Sequence, residues 1–304
     1  MITRRTFIRN ALVGSAATWL PQSVWANATL TLGTMQIDTL SDGNLVLPPA
    51  VAFGDISTAD IAPILQQFGI TPDANLTPDC NVTLIRDGTR TILIDVGAGP
   101  DFMSSAGKLA DAFDALGVSA DDITHVVFTH AHPDHLWGLL DDFDDPVFPN
   151  ATYLIGKAEW DYWINPKTVD SIAAGRTTFA VGAKRRLETL EDNITFFDDG
   201  AEILPNIAAR ATFGHTPGHM SFQVGAGSES VMVLGDCIIN HHIAFARPDW
   251  ISGSDQDGDL GAKTRRTLLD QLVSEQMYLI GFHLPYPGIG RAERQGDNYV
   301  FVAA

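Results

Sequence analysis

Twelve residues at positions 128–139, FTHAHPDHLWGL, hold three histidines and an aspartate within six consecutive positions. The run ITHVVFT that leads into them is rich in β-branched and aromatic residues, which predicts a strand ending at Thr129. Alternate residues of an extended chain share one side, so His130 and His132 can converge on a single point. The sequence therefore predicts that side chains of metal-ligating types stand at the carboxyl end of a strand.

A turn follows these two histidines. Pro133 favours the start of a helix through LWGLL, and Asp134 and His135 lie in its first turn, facing a second point nearby. Two groups of ligands a few ångströms apart are the arrangement that a two-metal site requires, and imidazole with carboxylate suits Zn²⁺ and also Fe, Mn or Co. A polar loop that is rich in histidine by chance is the alternative, but four specified residues at fixed spacing rarely arise by chance.

Further histidines and aspartates follow later apolar runs. FGHTPGHMSF contains His215 and His219, VMVLGDC contains Asp236, and YLIGFHLPYPG contains His283. Each lies where a strand is predicted to end, so a sheet could present all of them along one edge. The sequence thus supplies enough ligand types for two metal ions.

Together these motifs resemble those of the metallo-β-lactamase superfamily over residues 80–304. HAHPDH matches its HxHxDH signature, and TPGH, LGD and FHLPYPG match its later motifs in the same order. The resemblance implies an α/β fold, the αββα four-layer sandwich of two similar halves with the metals at one edge. It also implies two metal ions, most simply Zn²⁺, and the following ligands: His130, His132 and His219 for the first, Asp134, His135 and His283 for the second, and Asp236 as a bridge.

The resemblance implies roles for several other residues. His219 is preferred to His215 as a ligand because it closes TPGH, which leaves His215 as a turn residue or a support. Asp95, in LIDVGAG, is similar to an aspartate that steadies a ligating histidine. His241 and His242 either line the mouth of the site or lie in a solvated loop.

The implied chemistry is hydrolysis without a covalent intermediate. Two cations lower the pKa of a shared water towards neutrality, so a metal-bridging hydroxide attacks the substrate, with Asp134 and Asp236 as the catalytic carboxylates that orient it. The motifs are most similar to the group that contains methyl parathion hydrolase and its lactone-hydrolysing relatives. Small neutral lactones or aryl esters are therefore the expected substrates, with promiscuous hydrolysis of organophosphate triesters.

Three alternatives remain at this stage. The first is a quorum-quenching lactonase for acyl-homoserine lactones, although those enzymes place a tyrosine where this chain has Ile239. The others are a β-lactamase-like hydrolase and a metal-binding protein that has lost catalysis. An aromatic wall for an aryl leaving group could come from Phe102, Trp160 and Trp163, although for any one of them packing in the core is the preferred interpretation.

Residues 1–28 are predicted to be an export signal. They combine Arg4, Arg5 and Arg9 with a short apolar stretch and the small-residue end Ala26-Asn27-Ala28. The adjacent Arg4 and Arg5 resemble a twin-arginine signal, which indicates a periplasmic location, whereas an ordinary Sec signal or a basic helix end are the alternatives. No run of eighteen apolar residues occurs, so no membrane anchor is predicted.

Charge narrows the range of partners. Removing residues 1–28 takes away three arginines and no acidic residue, so the net charge changes from −18 to −21. A protein this acidic repels polyanions, which excludes nucleic acid and anionic membrane surfaces as expected partners.

The remaining chain is predicted to contain two parts. Residues 29–80 carry strand-like ATLTL and NLVLPPAVAF and a helical DIAPILQQF, an N-terminal extension that packs on the core or on the partner of a homodimer. Residues 81–304 form the catalytic domain, in which strand pairs alternate with helices. Cys80 and Cys237 are too few for a disulfide framework and could form one bridge or remain two buried thiols.

Overall fold

A computed structural model describes residues 28–226 and 229–304. The export signal predicted for residues 1–28 lies outside the described residues, apart from Ala28 at the start of the first strand. Two seven-stranded sheets occupy the centre. The first contains β1 (Ala28–Leu32), β2 (Met35–Asn44), β3 (Asp79–Arg86), β4 (Thr91–Ile94), β5 (His125–Phe128), β6 (Thr152–Gly156) and β7 (Ile194–Phe197), hydrogen-bonded in that order.

The second sheet follows in the chain. Its strands are β8 (Glu202–Leu204), β9 (Ile207–Ala211), β10 (Met220–Ala226), β11 (Glu229–Val233), β12 (Tyr278–Ile280), β13 (Ile289–Gln295) and β14 (Asn298–Ala303). Neighbours in space are again neighbours in sequence. Strands β4 to β7 pair in parallel, as do β11 and β12, whereas the other pairs in both sheets are antiparallel.

Helices accompany both sheets, and some of them cover their outer faces. They are α1 (Pro49–Phe53), α2 (Thr58–Leu65), α3 (Leu109–Leu116), α4 (Pro133–Leu136), α5 (Lys157–Ile164), α6 (Thr168–Ser171), α7 (Thr177–Glu188), α8 (Ile243–Ala246) and α9 (Gly258–Ser274). No helix in the described part of the chain is both long and apolar enough to cross a membrane.

The period of two along each strand divides the core into layers. In β5, Val127 packs between the two sheets, whereas Val126 and Phe128 face the helices on the outside. Burying a side chain such as Phe222, which fills the space between the sheets, contributes about 2–3 kcal/mol to stability. Helix α9 covers the other sheet with Leu269. The predicted αββα sandwich is therefore confirmed.

The N-terminal segment differs in detail from its prediction. ATLTL is β1, but a strand was wrongly expected within NLVLPPAVAF, where Pro48 and Pro49 lead into helix α1. Proline has no N–H for a sheet ladder, and its fixed φ suits the first turn of a helix. The strand that pairs with β1 is β2, which lies before Pro48 in the chain and also pairs with β3. The N-terminal segment thus adds two strands to the first sheet.

Strand β2 was missed because it is polar at buried positions. Asp38 is fully buried and accepts a hydrogen bond at 2.6 Å from Arg86 Nη2. Asp42 is also fully buried and accepts from the backbone N–H groups of Ala98 and Leu109 at 2.7 and 2.8 Å. These partners offset the cost of burying each carboxylate, which an apolar pattern cannot indicate.

The two cysteines are separate buried thiols. Burial raises the pKa of Cys80 and of Cys237 to about 12. A thiol with such a pKa is almost entirely protonated at neutral pH and is a poor nucleophile. Both therefore act as small apolar residues of the core.

Candidate metal centre

Four loops meet at one edge of the sandwich, and each follows a strand that the first or second sheet holds in place. They contain residues 130–135 after β5, residue 215 after β9, residue 236 after β11 and residue 283 after β12. Pro133 starts helix α4 directly after His132, which is the N-cap residue. This change from strand to helix separates His130 and His132 from Asp134 and His135.

The first ligand group contains three buried histidines, His130, His132 and His215. His132 Nδ1 lies 3.1 Å from His130 Nε2 and 2.8 Å from His215 Nε2. Burial together with the neighbouring histidines holds the pKa of His130 and that of His132 well below the ordinary value. Three imidazoles that converge on one point are the donors that suit a divalent transition metal.

The second group contains Asp134, His135, Asp236 and His283. His283 Nε2 lies 3.1 Å from Asp134 Oδ2, and His135 Nε2 lies 3.2 Å from Asp236 Oδ1. Burial lowers the pKa of His135, but Asp236, Asp134 and Asp95 outweigh burial and raise it to about 10. The surplus of negative charge around this imidazole favours a cation at the same place.

Asp236 is a member of the second group and also contacts the first. Its Oδ2 lies 3.3 Å from His215 Nε2 in the first group and 3.2 Å from His283 Nε2 in the second. Burial would raise the pKa of Asp236, yet His283 and His135 hold it well below the ordinary value. A carboxylate that stays ionised between two ligand groups is positioned to bridge two cations.

His215 lies beside His130 and His132, whereas His219, the ligand expected from the sequence, lies outside both groups. His219 Nε2 accepts the backbone N–H of Asp236 at 2.9 Å, and its Nδ1 lies 2.8 Å from Thr212 Oγ1. Both ring nitrogens are thus engaged in holding the loop of the bridging residue, and neither is directed at a ligand group. The structure therefore groups His215, and not His219, with His130 and His132.

Unpaired polar atoms support a pair of cations at this edge. Asp134 Oδ2, His135 Nε2 and Asp236 Oδ1 are buried and make no hydrogen bond. Buried polar atoms without a partner are costly, and each of these three is a ligand type that faces the others. Five imidazoles and two carboxylates therefore form a set that fits two divalent metal ions, with Zn²⁺ well suited to it.

His135 and His283 each have one ring nitrogen that faces away from the second group, and an oxygen atom lies close to it. Asp95 Oδ2 lies 2.7 Å from His135 Nδ1, which is the support predicted for this aspartate. The Asp79 carbonyl oxygen lies 2.8 Å from His283 Nδ1. Such partners fix the tautomer and the ring orientation of a metal ligand.

The segment before α9 supplies two supports that sequence reasoning missed. Asp255 Oδ1 lies 3.4 Å from His215 Nδ1 and its carboxylate also pairs with Arg265, while Gln256 Nε2 lies 3.4 Å from His132 Nε2. Tyr162 donates its hydroxyl to Gln256 Oε1 at 2.7 Å. No local pattern marks these residues, because they reach the histidines only through the fold.

The two ligand groups open into a pocket of about 920 Å³. Phe102 lines it, as predicted, but Trp160 and Trp163 do not. Helix α5 turns both tryptophans into the core, where they are 8% and 1% exposed, and presents Tyr162 to the pocket instead. Of the three aromatic residues named from the sequence, Phe102 lines the pocket, and Tyr162 and Phe179 line it as well.

The rest of the pocket wall combines apolar and polar residues. The N-terminal segment contributes an apolar wall: Leu45, Leu47, Val51, Ile70 and Leu76. Arg176 adds a guanidinium whose Nη2 donates to the carbonyl oxygens of Gly253 and Ser254. His241 and His242 also line the pocket. A substrate that is polar at one end and apolar at the other matches this composition.

Comparison with known proteins agrees with this architecture. The model of the Metallo-beta-lactamase superfamily matches residues 77–289, and the chain belongs to that superfamily. Among solved structures, AidC, a dizinc quorum-quenching lactonase in complex with the product N-hexanoyl-L-homoserine, aligns with a TM-score of 0.85 and 26% identity, over 91% of this chain and 97% of AidC. The hydrolase AbOPH aligns with a TM-score of 0.84 and 26% identity over the same shares.

A sequence relative is N-acyl homoserine lactonase AttM from Agrobacterium fabrum. It is 28% identical over 136 residues, which are 41% of this chain and 44% of AttM. The chain spans less than half the length of several curated relatives that it matches.

Proposed function

We propose that this chain is a binuclear metal-dependent hydrolase that opens lactones carrying an apolar substituent. The observation that carries the proposal is the position of Asp236, whose carboxylate contacts His215 of the first ligand group and His283 of the second within a pocket that also has an apolar wall. Likeness to a dizinc lactonase over most of both chains supports the same reaction class.

The ligand set defines what a metal pair would supply. Two divalent cations bound by the two groups would lower the pKa of a water and polarise the ester carbonyl of the substrate. His130, His132 and His215 would hold one cation, and Asp134, His135 and His283 the other, with Asp236 in contact with both.

The chain's own residues would orient the substrate and handle its proton. Asp134 has two carboxylate oxygens, and the one that does not hold the cation would accept the proton released when water attacks. Arg176 offers hydrogen bonds to the acyl carbonyl or to the carboxylate that ring opening produces. The apolar wall removes an aliphatic substituent from water, which contributes about 0.8 kcal/mol per buried methylene.

We also propose aryl esters as substrates and organophosphate triesters as poorer ones. Each is neutral, so the acidic surface does not repel it. Attack on a carbonyl and attack on a phosphotriester both develop negative charge on an oxygen that cations can stabilise.

The test is a substrate panel on protein loaded with zinc, cobalt or manganese. It contains N-hexanoyl-homoserine lactone, γ-butyrolactone, dihydrocoumarin, phenyl acetate, paraoxon and nitrocefin. We expect the highest kcat/KM for the lactone with the hexanoyl tail, and loss of both turnover and metal content in Asp236→Ala. Asp257→Ser is the matched control, because it removes another pocket carboxylate yet keeps a side chain that can cap α9.

Three outcomes would contradict the proposal. Faster turnover of nitrocefin than of any lactone would favour a β-lactamase. Faster turnover of paraoxon would make the triester the main substrate class. Two bound metals with no hydrolysis of any compound would indicate a binding protein.

Export is a separate proposal that is based on residues 1–28 alone. The pair Arg4 and Arg5 supports twin-arginine export to the periplasm. Replacing both with lysine should retain the precursor in the cytoplasm, as measured by cell fractionation. Unchanged periplasmic recovery would point to the ordinary Sec route.

A further inference from the structure

One buried carboxylate connects the two loops that carry the first ligand group. Glu159 lies on α5, is fully buried and belongs to neither ligand group. Its Oε1 accepts from the backbone N–H of Ala131 at 2.9 Å, between His130 and His132. Its Oε2 accepts from Thr216 Oγ1 at 2.7 Å, directly after His215.

Two more donors complete the surroundings of this carboxylate. Gly218 donates its backbone N–H to Oε2 at 3.0 Å, and Trp163 donates its indole N–H to Oε1 at 2.6 Å. A Cβ at Gly218 would lie 2.0 Å from the backbone nitrogen of Glu159, so this loop sits directly against α5. Three of the four donors come from two loops about 80 residues apart in the chain, and the fourth comes from α5 itself.

We propose that Glu159 is the positioning residue of the first metal site, setting the distance between the His130–His132 loop and the His215 loop. Each oxygen faces two donors, which only an ionised carboxylate can accept on both sides. Gln256 also contacts both loops, since its Nε2 lies 3.4 Å from His132 Nε2 and its backbone N–H donates to the carbonyl oxygens of Gly214 and His215 at 3.1 Å. Glu159 differs because its carboxylate accepts from the backbone N–H groups of Ala131 and Gly218, one in each loop. This proposal depends on the metal site and not on the choice of substrate.

Glu159→Gln tests the proposal with almost no change of volume. The amide places an NH₂ group against two donors on one side, so one loop loses its anchor. We expect the affinity for the metal ion at the first ligand group to fall about 10- to 100-fold, because loss of a ligand's support has that effect. The d–d absorption of the cobalt-loaded protein should change as well, since the three histidines no longer meet in one geometry.

Asp38→Asn is the matched control. Asp38 is also fully buried and accepts from several donors, but on β2, in contact with Arg86, Gln36 and Thr29. This variant should lower the melting temperature of the metal-free protein while leaving metal affinity and the cobalt spectrum unchanged. If it weakens metal binding as much as Glu159→Gln does, then Glu159 acts only through global stability and the proposal is wrong.

A second pair of variants serves if Glu159→Gln does not fold. Thr216→Val removes one of the four hydrogen bonds at constant shape, and Thr216→Ser restores the hydroxyl. Metal affinity should fall in the valine variant and return in the serine variant. Equal, wild-type affinity in both would overturn the proposal, whatever the lactonase panel shows.

Discussion

His215 Nε2 lies 3.3 Å from Asp236 Oδ2, whereas His219, four residues later, uses its Nε2 to accept the Asp236 backbone N–H at 2.9 Å. The two histidines of HTPGH thus contact the same aspartate from different sides. One meets the carboxylate that joins the two ligand groups, and the other holds the loop from which that carboxylate projects. Gly235 permits this approach, since a Cβ there would lie 2.6 Å from His219 Nε2.

The two histidines should therefore respond differently to the same substitution. His215→Gln removes a ligand, so the first metal equivalent should bind at least 100-fold more weakly, with turnover lost in parallel. His219→Gln keeps an acceptor for the Asp236 N–H and should retain two metals, with a modest loss of stability of about 1 kcal/mol. Metal titration by competition with a chelating dye measures both. The reverse pattern would restore His219 as the ligand.

Asp95 provides a test of how a ligand is supported. Its φ of 63° is one that asparagine tolerates, so Asp95→Asn removes the charge without forcing the backbone to change. An amide has only one accepting oxygen, and when that oxygen accepts the Thr129 N–H as Oδ1 does, an NH₂ group faces His135 Nδ1 where the carboxylate oxygen lies at 2.7 Å. Metal affinity at the second group should therefore fall about 10- to 100-fold. Asp42→Asn, which alters a buried carboxylate that contacts no ligand histidine, should leave affinity intact. If the two variants bind metal with equal affinity, Asp95 does not support His135 as a metal ligand.

The ligand loops were predictable because their signal is local. His130 to His135 follow a β-rich run, and proline marks the turn, so spacing alone places four side chains around two points. Spacing cannot decide between His215 and His219, because both lie in the one loop that joins β9 to β10. Only the direction of each ring, which the surrounding loops determine, separates a ligand from a support.

Other features depend on contacts that are distant in the chain. Glu159 meets Gly218 across 59 positions, and Gln256 meets His132 across 124. From sequence alone, buried polar residues of this kind cannot be distinguished from polar residues on the surface. The same is true of the buried aspartates of β2. Their partners, not their hydrophobicity, determine where they lie.

His242 should make the stability of the protein depend on pH. Burial, together with the neighbouring His241, lowers the pKa of His242 to about 3, and its Nδ1 accepts the backbone N–H of Ile243. As pH falls through 6.5, the unfolded chain takes up a proton at this residue, whereas the folded protein does not until about pH 3. The stability is thus present above pH 6.5 and is lost as the pH falls towards 3.

The measurement compares wild type with His242→Asn, whose side chain can still accept the Ile243 N–H. Urea unfolding in the presence of a chelator, at pH 7.5 and pH 5.5, gives the free energy of unfolding of each. Wild type should lose about 1.4 kcal/mol more than the variant over these two pH units, the value for one proton with an unfolded pKa near 6.5. Identical losses would mean that His242 titrates normally in the folded state.

The apolar wall predicts how rate depends on substrate length. Each methylene that Leu47 and its neighbours remove from water contributes about 0.8 kcal/mol, so kcat/KM should rise about fourfold per methylene between butanoyl and hexanoyl lactones. Leu47→Trp fills part of that space and should abolish the rise while leaving kcat/KM for γ-butyrolactone within about twofold, because the ligand groups are untouched. Val181→Trp, on an exposed position of α7 outside this pocket, is the control for an added indole. A rise that persists unchanged in Leu47→Trp would show that the substituent binds elsewhere, since a tail lying along the N-terminal segment could not avoid the new ring.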